Sequence, residues 1–272
     1  MVSVTTLLLA ALAIIFLWGY LETWRLRVVK TRFKSDRLPP TYDRYRIVLL
    51  GGLHLRRLSG WTRRLQETVR SLEPDIILLP GNIKPTHSAE NSRIHQLLAD
   101  FLEPLRPPDG VVAVRGYHDR KRFWDSLPDS SEITLLTNSH HAARRGEDCL
   151  LILGIQTAHV GHLDRGQNQI REAMGGLPES GFRILIGQSP DFLRYAQGHG
   201  IDLILAVDNL HHQIRIPGLG VLRKDSKVSP SWDRGWLSEG TLSMYLSPGI
   251  GTRWLPFRFF FRPEITLIEL EK

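Results

Sequence analysis

The sequence is nearly without cysteine: a single residue, Cys149, in a chain of 272. This excludes a disulfide framework and fits a reducing compartment. Cys149 stands in the apolar run EDCLLILGI, which reads as a buried strand, so a structural thiol is expected there and not a nucleophile. Internal repeats and low-complexity tracts are also missing, and the hydrophobic share of 42% is enough to bury a full core. Charge is missing altogether from Val2 to Leu21, where Leu, Ala, Ile, Phe and Trp dominate. At about 1.5 Å rise per residue, roughly 20 residues cross the ~30 Å of a bilayer's hydrocarbon, so residues 1–21 are expected to form a transmembrane anchor. No basic residue precedes the run, and WGYLETW offers no small-residue cleavage pattern, which argues against a cleaved signal peptide. Trp18, Tyr20 and Trp24 would form an aromatic belt at the interface.

Positive charge is what the next segment holds. Residues 22–45 read as a basic juxtamembrane linker. From Glu22 to Arg46 there are eight basic side chains against three acidic ones, an excess of five out of a whole-chain net charge of +7. The positive-inside bias therefore puts the C-terminal body in the cytoplasm, as a single-pass membrane protein. The same placement makes the pI of 9.8 a property of a membrane-surface segment, so no nucleic-acid partner is expected.

Residues 46–272 read as one α/β domain. Short apolar runs over 46–50, 76–79 and 111–114 predict fully buried strands, separated by helical patterns over 62–72 and 90–105. Strand and helix in alternation imply parallel pairing through right-handed crossovers. The later half predicts strands near 150–155, 184–186, 203–205, 213–216, 241–246 and 266–270, with helices near 168–174 and 190–197. The sum is two sheets packed face to face with helices outside, and function is expected in the loops after the strands.

Those loops are GGLHLRR, PGNIKP, RGYHDRKR, GQSPDF and VDNLHHQIRIPGLG. In that order they resemble the five motifs of the calcineurin-like metallophosphoesterases. The nearest subgroup is the membrane-anchored one that includes phosphodiesterases and UDP-2,3-diacylglucosamine pyrophosphohydrolases. The resemblance runs from about Arg46 to the end and takes in the flanks PDIILLPG, SPDFLRYAQGHGIDLIL and QIRIPGLG. It implies a two-sheet sandwich and a dinuclear metal centre with seven ligand positions. Of these only His54 carries the family residue; Gly52 and Asn82 stand where aspartates are expected, Tyr117 where an asparagine is, and Gln188, Asp208 and Leu210 where histidines are. His118 and Asp119 match the pair that lies beside the attacked phosphate in active relatives, and are vestigial if no metal-bound hydroxide is formed.

Two divalent ions roughly 3.5–4 Å apart repel by on the order of 15–20 kcal/mol at an effective dielectric near 20. A bridging carboxylate makes that arrangement tolerable, and Asn82 has no charge to offer. No cofactor is therefore expected, the alternative being one weakly bound Mg²⁺ or Ca²⁺ held through oxygens of Asp208, Gln188 and Asn82, with Tyr117 as a further candidate. His211 and His212 do not replace the lost ligands, since neighbours on an extended segment point to opposite faces. His140 and His141 are expected in a turn between strands. Arg115, Arg120, Lys121 and Arg122 would form a basic rim able to hold a phosphate or a phospholipid head group. The aromatic and basic alternation from Gly251 to Glu264 would place a lip against the lipid. The expectation is a membrane-anchored pseudoenzyme that binds or scaffolds, with a possible protein partner; the alternative is an active phosphohydrolase of a lipid- or nucleotide-linked ester using a reduced metal centre.

Overall fold

The computed structural model describes residues 3–85, 90–128, 132–156, 163–178, 180–207, 213–221, 232–253 and 255–272. It opens with α1 (Val4–Thr23), capped by the Ser3 hydroxyl, which accepts from the Thr6 N–H at 3.1 Å. Nearly all of its side chains are exposed. Among the described residues it is the one helix long and apolar enough to cross a membrane, and at about 1.5 Å per residue it is close to 30 Å long.

β1 (Arg27–Lys34), β2 (Arg46–Leu49), β3 (Ile76–Pro80), β4 (Val111–Val114), β5 (Ile133–Leu136) and, far along the chain, β14 (Glu264–Glu271) make the first sheet, in the order β1-β14-β2-β3-β4-β5. The second sheet runs β12-β13-β9-β8-β7-β6, from β6 (Ser139–Arg145), β7 (Asp148–Gly154), β8 (Phe182–Gly187), β9 (Leu203–Val207), β12 (Gly235–Glu239) and β13 (Leu242–Ser247). A ribbon of β10 (Arg215–Ile216) and β11 (Gly220–Val221) stands apart.

The central strands are apolar on both faces because both faces are covered. Ile47, Leu49, Ile76 and Leu78 point into the core between the sheets, where they meet Leu150, Ile152, Ile184 and Leu205. Val48, Leu50, Ile77 and Leu79 point outward beneath α2 (Gly60–Ser71) and α3 (Asn91–Leu102). The second sheet is covered in the same way by α5 (Leu163–Ala173) and α6 (Phe192–Tyr195). A short α4 (Lys121–Asp125) follows the loop after β4. The expected two-sheet α/β architecture with flanking helices and an apolar N-terminal helix is present.

Two expectations need correction. Residues 22–45 are not a free linker. The helix continues through Glu22 and Thr23, and β1 pairs in parallel with β14 over eight residues, from Arg27↔Glu264 to Lys34↔Glu271. The reason lies in the alternation RVVKTRFK: Val29, Thr31 and Phe33 are half-buried against the core while Arg27, Lys30, Arg32 and Lys34 face solvent. An edge strand lined by cations on its open side resists further pairing. Likewise His140 and His141 are not in a turn; they lie within β6, opposite Leu153 and Ile152 of β7.

Candidate functional site

The motif loops gather at one edge of the two sheets, beyond the carboxyl ends of the parallel strands. After β2 the chain runs beside the loop after β3, with Gly52 N–H donating to Gly81 O (3.0 Å), His54 N–H to Asn82 O (3.0 Å) and Leu55 N–H to Ile83 O (2.8 Å). On the other side Ile250 and Gly251 donate to Gly51 O and Gly52 O. Gly81 and Gly116 lie backbone to backbone: a Cβ on Gly116 would fall 2.2 Å from Asn82 N. Asn82 itself has φ 52°, a left-handed conformation that asparagine tolerates better than most residues.

Three buried side chains of these loops, Asn82, Gln188 and Asp119, knit them together. Asn82 is fully buried, and its Oδ1 accepts the His118 N–H at 2.9 Å. Gln188, also buried, accepts the Tyr117 N–H through Oε1 at 2.8 Å. Asp119 accepts three backbone N–H groups, from Lys84 (3.0 Å), Gly116 (3.1 Å) and Ile83 (3.3 Å). Burial pushes its carboxyl up, and those amides pull the other way. The carboxylate therefore ties the third loop to the second.

His54 is buried, and its Nδ1 lies 3.3 Å from Lys84 O. That contact assigns the proton to Nδ1 and leaves Nε2 as an acceptor, for which the described residues supply no hydrogen-bond partner. Burial, then the His118 imidazole, lowers its pKa to about 3, so the ring is neutral throughout the physiological range. Gly52 brings only backbone, at φ 60°. Tyr117 is half exposed and sets its ring edge-on to His118, 5.1 Å between centroids. Asp208, Leu210, His211 and His212 lie outside the described residues.

As a donor set for cations, these residues are poor in charge. The side chains of Asn82 and Gln188 are neutral amides, and the Asp119 oxygens accept backbone N–H groups. Among the described residues no group of three or more His, Cys, Asp or Glu side chains is placed to hold a metal.

Beside His54 lies a cavity of about 460 Å³ between the end of α1 and the first loop. Tyr20, Thr23, Trp24, Leu53, Trp61 and Ile250 give it an apolar wall, and Arg56 and Arg57 lie at it with exposed side chains. Sequence reasoning missed it, because the cavity forms only when the helix end, with Trp24 edge-on to Trp61, folds against the loop. Of the predicted basic rim, Arg115 donates to Gln156 Oε1 at 2.5 Å and Lys121 pairs with Asp125 one helical turn on, while Arg120 and Arg122 are exposed.

No family profile matches the chain. Among curated proteins it is 23% identical to an uncharacterized metallophosphoesterase of Bacillus subtilis, YkuE, over 93% of this chain and 88% of that one. It is 26% identical to a transmembrane protein with metallophosphoesterase domain of Danio rerio, over 98% of this chain, and 26% to the Bos taurus protein of the same name, over 86%. The chain spans only 63% and 55% of those two vertebrate proteins. Two solved structures of Thermus thermophilus proteins align with 76% and 65% of the chain, at TM-scores of 0.48 and 0.40 and identities of 14% and 12%, covering 90% and 73% of their own lengths. Along nearly its whole length the chain is thus similar to curated proteins named for a metallophosphoesterase domain.

Proposed function

We propose that the chain is a membrane-anchored member of the family whose dinuclear centre has been dismantled, and that it binds a phosphate-bearing ligand at the membrane instead of hydrolysing one. The observation that carries this reading is Asn82. At the position where the resemblance expects a bridging carboxylate stands a buried amide that offers no charge to offset two cations and is engaged with the His118 N–H. Gln188 repeats the pattern with Tyr117. The residues described do not fit a pair of metal ions. The surplus of basic residues after α1 supports a body on the cytoplasmic side. Arg56 and Arg57, at a cavity with an apolar wall, suit an amphiphile with a phosphate group.

The test is elemental analysis of the purified full chain for Mn, Fe and Zn, paired with an assay on a generic aryl phosphodiester. No stoichiometric metal and no turnover are expected. Metal-dependent hydrolysis that disappears in His54→Ala overturns the reading. A second reading, hydrolysis through a reduced centre, has one specific observation in its favour, the Nε2 of buried His54, which has no hydrogen-bond partner among the described residues. It requires Asp208→Ala to change metal content or rate.

A further inference from the structure

We infer that the loop at residues 255–260 is inserted into the bilayer beside α1, so that the loop edge carrying the candidate site is seated on the membrane. The inference rests on the reading that α1 spans a bilayer, and the depth of the loop follows from what it touches. Phe257 stacks on Phe16 with ring centroids 5.7 Å apart, and its ring fills the space where a Cβ on Gly19 would lie. Phe16 is seven residues before Thr23, the last residue of the helix, which is about 10 Å along the axis at 1.5 Å per residue. Phe257 therefore sits well below the helix end, beside its apolar span.

The contact is built of hydrogen bonds as well as rings. Arg258 N–H donates to Gly19 O at 3.0 Å, and Phe260 N–H to Glu22 Oε2 at 2.9 Å. The Arg258 guanidinium is fully buried and donates to the carbonyls of Pro248, Gly249, Gly251 and Phe261, which fixes the loop's base. What the loop leaves uncovered is apolar: Leu255 is 60% exposed and Phe260 41%. Leu219, 75% exposed at the tip of the β10–β11 turn, is tied to the same loop through the Ile214–Phe259 bridge. Arg25 and Arg262, both exposed, flank it where phosphate groups would lie. Continuity with a spanning helix commits these side chains to lipid as their partner.

Because β1 pairs in parallel with β14, and β14 antiparallel with β2, the start of β1, the start of β14 and the end of β2 share one edge. The first three motif loops leave from that edge.

The test uses the full chain in vesicles of phosphatidylcholine and phosphatidylglycerol, with one environment-sensitive label at Leu12→Cys, Leu255→Cys, Leu219→Cys or Glu147→Cys; native Cys149 is buried. Each exchanged residue is exposed, so the fold is retained. Labels at Leu12, Leu255 and Leu219 are expected to be quenched by chain-brominated lipid and shielded from iodide, and the label at Glu147, on the opposite edge, to behave in the reverse way. Iodide quenching at both Leu255 and Leu219 with lipid quenching at Leu12 overturns the insertion and leaves the anchor standing. Loss of lipid quenching at Leu12 overturns the spanning reading and the insertion with it.

Discussion

Gly81 and Gly116 allow two loops to cross at backbone distance, and the crossing puts Asn82 within reach of the His118 N–H. A methyl group at Gly116 meets a backbone nitrogen that cannot swing away, so Gly116→Ala is expected to part the loops and cost more than about 3 kcal/mol, read as a fall in the urea midpoint. His54 gives a pH signature. Its pKa is about 3 folded against 6.5 in the ordinary ring, so below pH 6.5 the unfolded chain takes up a proton that the folded one refuses. Stability from this residue is thus complete above pH 6.5 and falls on acidification at about 1.4 kcal/mol per pH unit until near pH 3. Between pH 7 and pH 5 wild type is expected to lose about 2 kcal/mol more than His54→Gln in denaturant unfolding. Equal losses would mean that water reaches the ring.

Among the elements, the buried strands were legible because an apolar run such as IILL, bounded by Pro74 and Pro80, has few alternatives to a strand covered on both faces. β1 was hidden by its charges: five cations in ten residues read as a solvated tether, and the alternation that puts Val29 and Phe33 inward carries little apolar weight. What reveals it is its partner, β14, more than two hundred residues away in the chain. β12 escaped for the same reason, since Trp236 stacks on Phe33 of β1 across the two sheets. In the site, the hydrogen bonds that occupy Asn82 and Gln188 depend on neighbours that no spacing reveals. The strand also revises the electrostatics. At about 3.3 Å per residue Lys34 lies some 23 Å from Arg27, nearly three Debye lengths at physiological salt, so a membrane surface at the end of α1 would be felt only by the first cations. A fragment starting at residue 46 exposes the full edge of β14, whereas one starting at residue 25 keeps it paired. The shorter fragment is expected to aggregate and the longer one to elute as a single species in gel filtration; equal behaviour would make β1 dispensable.

At the scale of the molecule, the anchor and the body are joined by a clamp. Glu22, at the end of the helix, accepts from Trp18 Nε1 within the helix and from the Phe260 N–H of the body, and buried Arg258 is held between the charges of Glu22 and Glu264. Burial lowers the Arg258 pKa to about 10 even with those carboxylates opposing it, so the guanidinium stays charged at neutral pH. A tether would leave the body free to turn about the end of α1; the clamp fixes the loop at residues 257–260 against the helix. Gly19 is the residue that permits this, because the Phe257 ring, pinned between Phe16 and Phe259, occupies the place of its side chain. Gly19→Leu keeps α1 apolar and adequate to span, yet forces the ring away and with it the amides of Arg258 and Phe260. Hydrogen exchange in vesicles is then expected to rise in residues 257–261 by the factor that opening the clamp allows, while the amides of β14 keep their wild-type protection. If residues 257–261 exchange as fast in wild type as in the variant, the body hangs from its helix instead of resting on the bilayer. Faster exchange in β14 as well would mean that the clamp is part of the fold's global stability, a stronger coupling of anchor and sheet than the contacts described require.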